Sequence, residues 1–190
     1  GKTPKPGLQD PDLLSGDIFC DLLRSNSNAV LTSALTVKRD AVIAAGMFRN
    51  DGSLRHSEDW DLFLRLAAGY RYGVVDKVLL NYRWHDHNIS LDTYAVALGR
   101  LRVWQYAEDT AMEKACYSPV EFQRIIAVRY HVFATEAWKQ QDMTTTRDAF
   151  KKAIDLTPES RSIRRLYYYL SYVAPFSMVR FINRFLSRVR

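Results

Sequence analysis

The stretch His56-Ser57-Glu58-Asp59-Trp60-Asp61-Leu62-Phe63-Leu64-Arg65-Leu66-Ala67-Ala68-Gly69-Tyr70 carries the clearest local instruction in the chain. Leu62, Phe63, Leu66, Ala67 and Tyr70 recur at helical spacing, Ser57 is a residue type that caps helix N-termini, and Gly69 is a stop. The pattern predicts a helix from Ser57 through Ala68. Glu58, Asp59 and Asp61 put three carboxylates into its first turn. Acids there complement the positive end of the helix dipole, which accounts for them without any chemistry. The same placement also serves chemistry, because a carboxylate on the first turn of a rigid helix, facing a cleft, is a well-held general base.

Outward from this helix, glycine and proline divide the chain. All eight glycines lie at or before Gly99, and no proline occurs between Pro11 and Pro119. Residues 1–16 read as a Pro/Gly-rich lead, followed by a short helix near Ile18–Arg24. Ala29–Lys38 reads as a strand, and Arg39–Ala45 as a short helix closed by Gly46. Asn50-Asp51-Gly52 marks a turn. Tyr72–Val75 and Val78–Trp84 read as short strands. Beyond Gly99 the sequence is helical throughout, over about 94–114, 119–140, 144–156, 161–173 and 176–189. Ser118-Pro119 is the pattern of a cap followed by a first-turn proline. The fold class expected is α+β and mostly helical, with a short-stranded part over 1–92 and a helical region over 93–190.

Composition bounds the function. The chain has 190 residues, 47% hydrophobic and 25% charged, which excludes a disordered chain or a disulfide miniprotein. Its formal charge is +6, yet residues 161–190 hold seven arginines and no acid, leaving −1 for residues 1–160. Basicity is therefore a property of the tail, which weighs against nucleic acid as a partner of the whole surface. Cys20 and Cys116 form no metal-binding spacing and read as two buried or free thiols of a cytosolic protein. There is no apolar run of membrane-spanning length and no visible signal peptide.

A second stretch, Tyr82-Arg83-Trp84-His85-Asp86-His87-Asn88-Ile89-Ser90, crowds Arg, His, Asn and Ser at a strand end. Arg83 can fork onto a phosphate. Alone, the His pair is a weak metal signal, and a solvated loop explains it as well.

Together these stretches resemble a known family. The series Thr32-Ser33-Ala34-Leu35-Thr36-Val37-Lys38-Arg39, Ala45-Gly46-Met47-Phe48, Ser57-Glu58-Asp59-Trp60-Asp61-Leu62-Phe63-Leu64-Arg65-Leu66-Ala67, Leu80-Asn81-Tyr82-Arg83-Trp84-His85 and Asn88-Ile89-Ser90 resembles the second half of the family-2 inverting glycosyltransferases, over about residues 15–92. The resemblance implies the acceptor-side half of a GT-A α/β domain. It implies transfer of a sugar from a nucleotide-sugar donor to a hydroxyl of a glycan or lipid-linked acceptor, in surface glycan synthesis. By resemblance Asp59 is the general base and Glu58 orients the acceptor or the base. Arg83 and Trp60 fall near the diphosphate, and His85 near a Mg²⁺ or Mn²⁺ ion. Asp61 and Arg65 read as a structural i, i+4 ion pair in the favourable acid-first order.

The family's Asp-x-Asp metal motif is absent in its expected context. Asp10-Pro11-Asp12 has no strand before it, and Asp59-Trp60-Asp61 sits where the base belongs. The chain alone is therefore expected to be inactive and to bind no metal. The Gln-x-x-Arg-Trp form of processive synthases is replaced by Leu80-Asn81-Tyr82-Arg83-Trp84, which favours single-sugar transfer. The alternative reading is a non-catalytic helical interaction module that retains a degenerate transferase half.

In the helical region Tyr130, Phe133, Ala134, Phe150, Ala153 and Pro158 match the spacing of one tetratricopeptide unit, with Thr146 departing from it. An ordinary helical hairpin satisfies the same residues. The tail interleaves arginines with Tyr167, Tyr168, Tyr169, Tyr172, Phe176, Phe181 and Phe185. That suits an anionic membrane surface, RNA or a lipid-linked anionic substrate, or else a packed amphipathic helix with a solvated basic face. The expected location is cytoplasmic, peripheral at the inner face of the membrane.

Overall fold

A computed structural model describes residues 15–25, 30–50, 52–81, 91–158, 163–176 and 178. Eight α-helices follow one another among these residues: α1 (Phe19–Ser25), α2 (Arg39–Ala44), α3 (Glu58–Gly69), α4 (Thr93–Tyr106), α5 (Glu108–Glu113), α6 (Pro119–Lys139), α7 (Met143–Asp155) and α8 (Ile163–Val173). The expected helical class stands. The helix expected over 176–189 falls largely outside the described residues.

Local chemistry sets the helix starts. Asp92 and Asp142 cap α4 and α7 by accepting from the backbone N–H groups of Ala95 and Thr145, each at 3.1 Å. Ser118 caps α6 in a reciprocal box: its hydroxyl accepts from the Glu121 N–H while the Glu121 carboxylate accepts from the Ser118 N–H. The Ser118 hydroxyl, which donates to the Glu121 carboxylate at 2.7 Å, and then the Ser118 N–H hold the exposed Glu121 carboxyl below its ordinary pKa. The single helix expected over 94–114 breaks at Ala107, and the acids Glu108 and Asp109 open α5 as a new first turn.

The expected strands do not form. Among the described residues, pairing is limited to one isolated antiparallel bridge between Gly16 and Tyr72. Residues 32–34 make a turn of 3-10 helix inside the stretch read as a strand, and 73–81 contain no strand. Residue 29 and residues 82–84 lie outside the described residues. The physical reason is that β-branched composition only makes a chain suited to a sheet. A strand is stable when neighbours satisfy its backbone donors and acceptors, and among the described residues only the Gly16–Tyr72 bridge does so.

Two large buried clusters, with a small third of Ala41, Leu62 and Leu66 between α2 and α3, hold the helices together. The first joins Ile18, Phe19, Leu22 and Leu23 of the α1 region to Trp60, Phe63, Leu64 and Ala67 of α3, and to Val103 and Trp104 of α4, with Phe122 and Ile126 of α6. It draws on both sides of residue 92, and each Leu or Phe buried in it is worth about 1.5–3 kcal/mol. The second cluster is built by Leu101 of α4, Phe133, Ala134 and Trp138 of α6, and Ala149 and Phe150 of α7, with Tyr167 of α8 against them. In it α6 and α7 form the expected hairpin. Thr146 is fully buried there and gives its hydroxyl hydrogen to the Asp142 carbonyl at 2.7 Å, so a polar residue sits in the helix contact without an unsatisfied group.

One expectation is overturned outright. Cys20 and Cys116 are not free thiols but a disulfide, with Cα atoms 5.3 Å apart. The packing of α1 against the segment after α5 brings the two together across 96 residues of sequence.

Candidate functional site

The site is built on the N-terminus of α3. His56, just before it, has a left-handed backbone (φ 67°), and the turn it makes aims the chain into the helix. Ser57 stands at the cap position, but its hydroxyl makes no capping bond. Instead it is buried without a hydrogen-bond partner and lies against Gly99 of α4, where an added Cβ would meet its oxygen at 2.7 Å. The absence of a side chain at Gly99 lets the two elements approach this closely. Seven residues of α3, Trp60 through Leu64 with Leu66 and Ala67, are buried, so the helix start rests on the core.

Asp59 is half-buried on that first turn. Its Oδ2 accepts from the Thr32 hydroxyl at 2.7 Å, and its Oδ1 accepts from the backbone N–H of Trp60 at 2.7 Å. Each carboxylate oxygen therefore has one donor, which fixes the plane of the group while leaving lone pairs on both oxygens. Glu58 is exposed beside it. Trp60 faces the other way: it is 1% exposed, and its indole N–H donates to the Leu22 carbonyl at 3.3 Å. It anchors α3 in the core and presents no surface for a diphosphate. Arg83 and His85 lie outside the described residues, as does Asp10-Pro11-Asp12.

Asp61 has a different environment from Asp59. It is fully buried and takes Arg65 Nη2 at 2.7 Å, Arg65 Nε at 3.0 Å and Arg49 Nε at 3.2 Å. Arg65 also donates to the carbonyls of Ala45 and Met47, and the Arg49 guanidinium lies 4.7 Å from the centre of the Tyr106 ring. A buried acid compensated by two guanidiniums is a structural device, and it fastens the loop after α2 to α3. The expected Asp61–Arg65 pair is present in that role. Arg49 escaped sequence reasoning, since nothing in Phe48-Arg49-Asn50 signals a partner twelve residues on.

Next to Asp59 runs a groove of about 580 Å³ between two segments that form no strand, lined by Val30, Leu31, Leu35, Tyr72, Val75 and Leu80 among others. Thr32, the partner of Asp59, lies between the groove residues Leu31 and Ser33. Val75, Val78 and Leu79 are strongly exposed, an unusual run for apolar side chains. At the groove's base the Tyr72 hydroxyl donates to the Phe63 carbonyl at 2.9 Å, and burial pushes its pKa up to about 12. Thr32 also went unseen as a site residue. Its only sequence signal is a polar Thr-Ser pair inside an apolar run.

Among the described residues no group of three or more His, Cys, Asp or Glu side chains could hold a metal ion. These residues do not build a cation site, and no step below runs through one. No family model matches the chain, and neither a curated protein nor a solved structure is found similar to it.

Proposed function

We propose that this chain supplies the acceptor side of an inverting sugar transferase, with Asp59 as its general base. One observation carries the reading. A half-buried carboxylate, oriented by one donor on each oxygen, stands on a core-anchored helix beside a groove walled by two segments, 30–36 and 72–80, that form no strand. In the reaction Asp59 takes the proton of an acceptor hydroxyl. The hydroxyl oxygen bonds to the anomeric carbon, and the bond from that carbon to the diphosphate breaks, its electron pair leaving with the nucleoside diphosphate. Attack opposite the leaving group inverts the centre. Glu58, exposed on the same turn, orients the acceptor.

The donor half, with its nucleotide-binding sheet and its Mg²⁺ or Mn²⁺ ion, is outside the residues that form this site. The groove walls over 30–36 and 73–80 are where such a sheet would add its pairing. A single-sugar transfer onto a surface glycan or lipid-linked acceptor belongs to the same proposal. The disulfide weighs against the cytoplasmic location expected from the sequence, since a reducing compartment would open it.

The test compares Asp59→Asn with the parental sequence in the complete enzyme, using labelled nucleotide sugars. Removing a general base lowers the rate by about 10²–10⁴-fold. The variant should keep its fold and its donor affinity. Transfer at near parental rate would sink the assignment.

A further inference from the structure

The helix α8 has two unlike faces. On one, Tyr167, Tyr168 and Leu170 pack on the second core with Phe176 beyond the helix end, and Ser171 and Ala174 are buried. On the other, Leu166 is 55% exposed, Tyr169 66% and Tyr172 53%, and Met178 continues the exposed apolar set beyond the helix. Spacing of three residues places Leu166, Tyr169 and Tyr172 along one stripe of the helix surface. The stripe is mixed, aliphatic at one end and phenolic toward the other. The Arg147 guanidinium lies 4.1 Å from the centre of the Tyr172 ring and the Tyr172 hydroxyl meets that of Tyr168 at 3.1 Å, so this end of the stripe is also its polar end.

From this stripe and the charge of the surrounding sequence, we infer that α8 lies against an anionic lipid surface. The packed face keeps the helix on the protein, and the exposed face enters the headgroup region. Charge complementarity selects the occupant. Residues 161–190 hold seven arginines and no acid, in a chain whose other residues sum to −1. An acid-free basic stretch around exposed Leu, Tyr and Met side chains combines the two terms of interfacial binding: apolar insertion and attraction to negative headgroups. Tyrosine in particular suits the boundary, with an apolar ring and a hydroxyl that stays wet. At eleven residues α8 is about 16 Å long. No described helix is long and apolar enough to cross a membrane, so the contact lies in the plane of the interface. RNA would use the charge but not the aliphatic members of the stripe, since Leu166 and Met178 offer neither a stacking plane nor a phosphate donor. This inference is independent of the transferase reading.

The experiment is co-sedimentation of the full chain with vesicles of phosphatidylcholine alone, or of phosphatidylcholine with a third phosphatidylglycerol, at about 0.1 M and 0.5 M salt, where screening differs roughly twofold in range. The comparison variant is Leu166→Ser/Tyr169→Ser, at two exposed positions outside the core clusters, with folding checked by circular dichroism. The intact protein should bind the anionic vesicles and not the neutral ones, lose most of that binding at high salt, and bind at least tenfold more weakly in the variant. Equal binding by variant and parent would overturn the inference, since charge alone would then account for it. Failure to bind anionic vesicles at low salt would overturn it too. So would lipid-free self-association abolished by the same variant, which would assign the stripe to a second copy of the chain, or RNA binding that the variant leaves intact while vesicles are ignored.

Discussion

Replacing Gly99 by alanine tests whether the close contact between α4 and the start of α3 is as tight as it looks. Alanine is the better helix former by about 0.8–1.0 kcal/mol, so an unobstructed Gly→Ala change inside a helix would stabilise the protein. At Gly99 the new methyl would stand 2.7 Å from Ser57 Oγ, 2.9 Å from Ser57 Cβ and 3.0 Å from the Arg55 carbonyl oxygen. Ordinary carbon contacts need about 3.5 Å or more. The two segments must therefore separate by about half an ångström, and two of the three atoms belong to the chain entering α3 rather than to a flexible tip. Overpacking of this kind costs about 1–3 kcal/mol. Net of the propensity gain, Gly99→Ala should destabilise by about 1 kcal/mol, or a fall of about 2–4 °C in melting temperature for a chain of this size. Ser57→Gly removes two of the three obstructing atoms. Its hydroxyl makes no cap bond, so the loss itself is small. The double variant should then be more stable than Gly99→Ala alone, a coupling read from urea denaturation of the four proteins. A Gly99→Ala protein as stable as the parent, or more so, would refute the reasoning.

Two further expectations concern titration and the disulfide. Tyr72 ionises near pH 10 when unfolded and near 12 in the fold, so stability should fall as pH rises from about 10 to 12, where the unfolded chain has already lost the proton; Tyr72→Phe should flatten that decline in denaturation curves taken across the range. Reduction of Cys20–Cys116, or the pair of serine substitutions, should lower stability by about 2–4 kcal/mol. Thiol titration of the unreduced, denatured protein should find no free thiol, and two would contradict the bond.

The helices were legible because their signals are local. Ser118-Pro119 announces α6, and Leu62, Phe63, Leu66 and Ala67 followed by Gly69 announce α3 within a few residues. Tyr70, counted with that apolar face, falls just past the helix and is exposed, since a periodic pattern does not state where the backbone turns away. The break at Ala107 was visible only in the acid pair after it. Strand composition over 29–38 and 72–84 misled because pairing is a relation to other segments, and composition reports on one segment at a time. The site divides in the same way. Asp59 and Asp61 differ by two positions in sequence, and their distant neighbours separate them: Thr32 for one, Arg49 for the other. The cysteine pair, 96 residues apart, is the extreme case of a contact that spacing rules do not reach.

That bond also changes what kind of object the chain is. From Cys20 to Cys116 the backbone is a covalent macrocycle, and the hairpin of α6 and α7 with α8 hangs from it as a tail. The groove walls, Thr32, Asp59 and Gly99 all belong to the ring. A single peptide-bond cleavage in the exposed stretch around Val75–Leu79 opens the ring without releasing either piece, so the two sides of the candidate site stay tethered until a reductant arrives. A cleavage after Cys116 has no such safeguard, and only packing would then keep the tail attached. The ring thus keeps its pieces together after a nick on the side of the molecule that would do the chemistry, and the tail is the part whose attachment depends on an intact backbone.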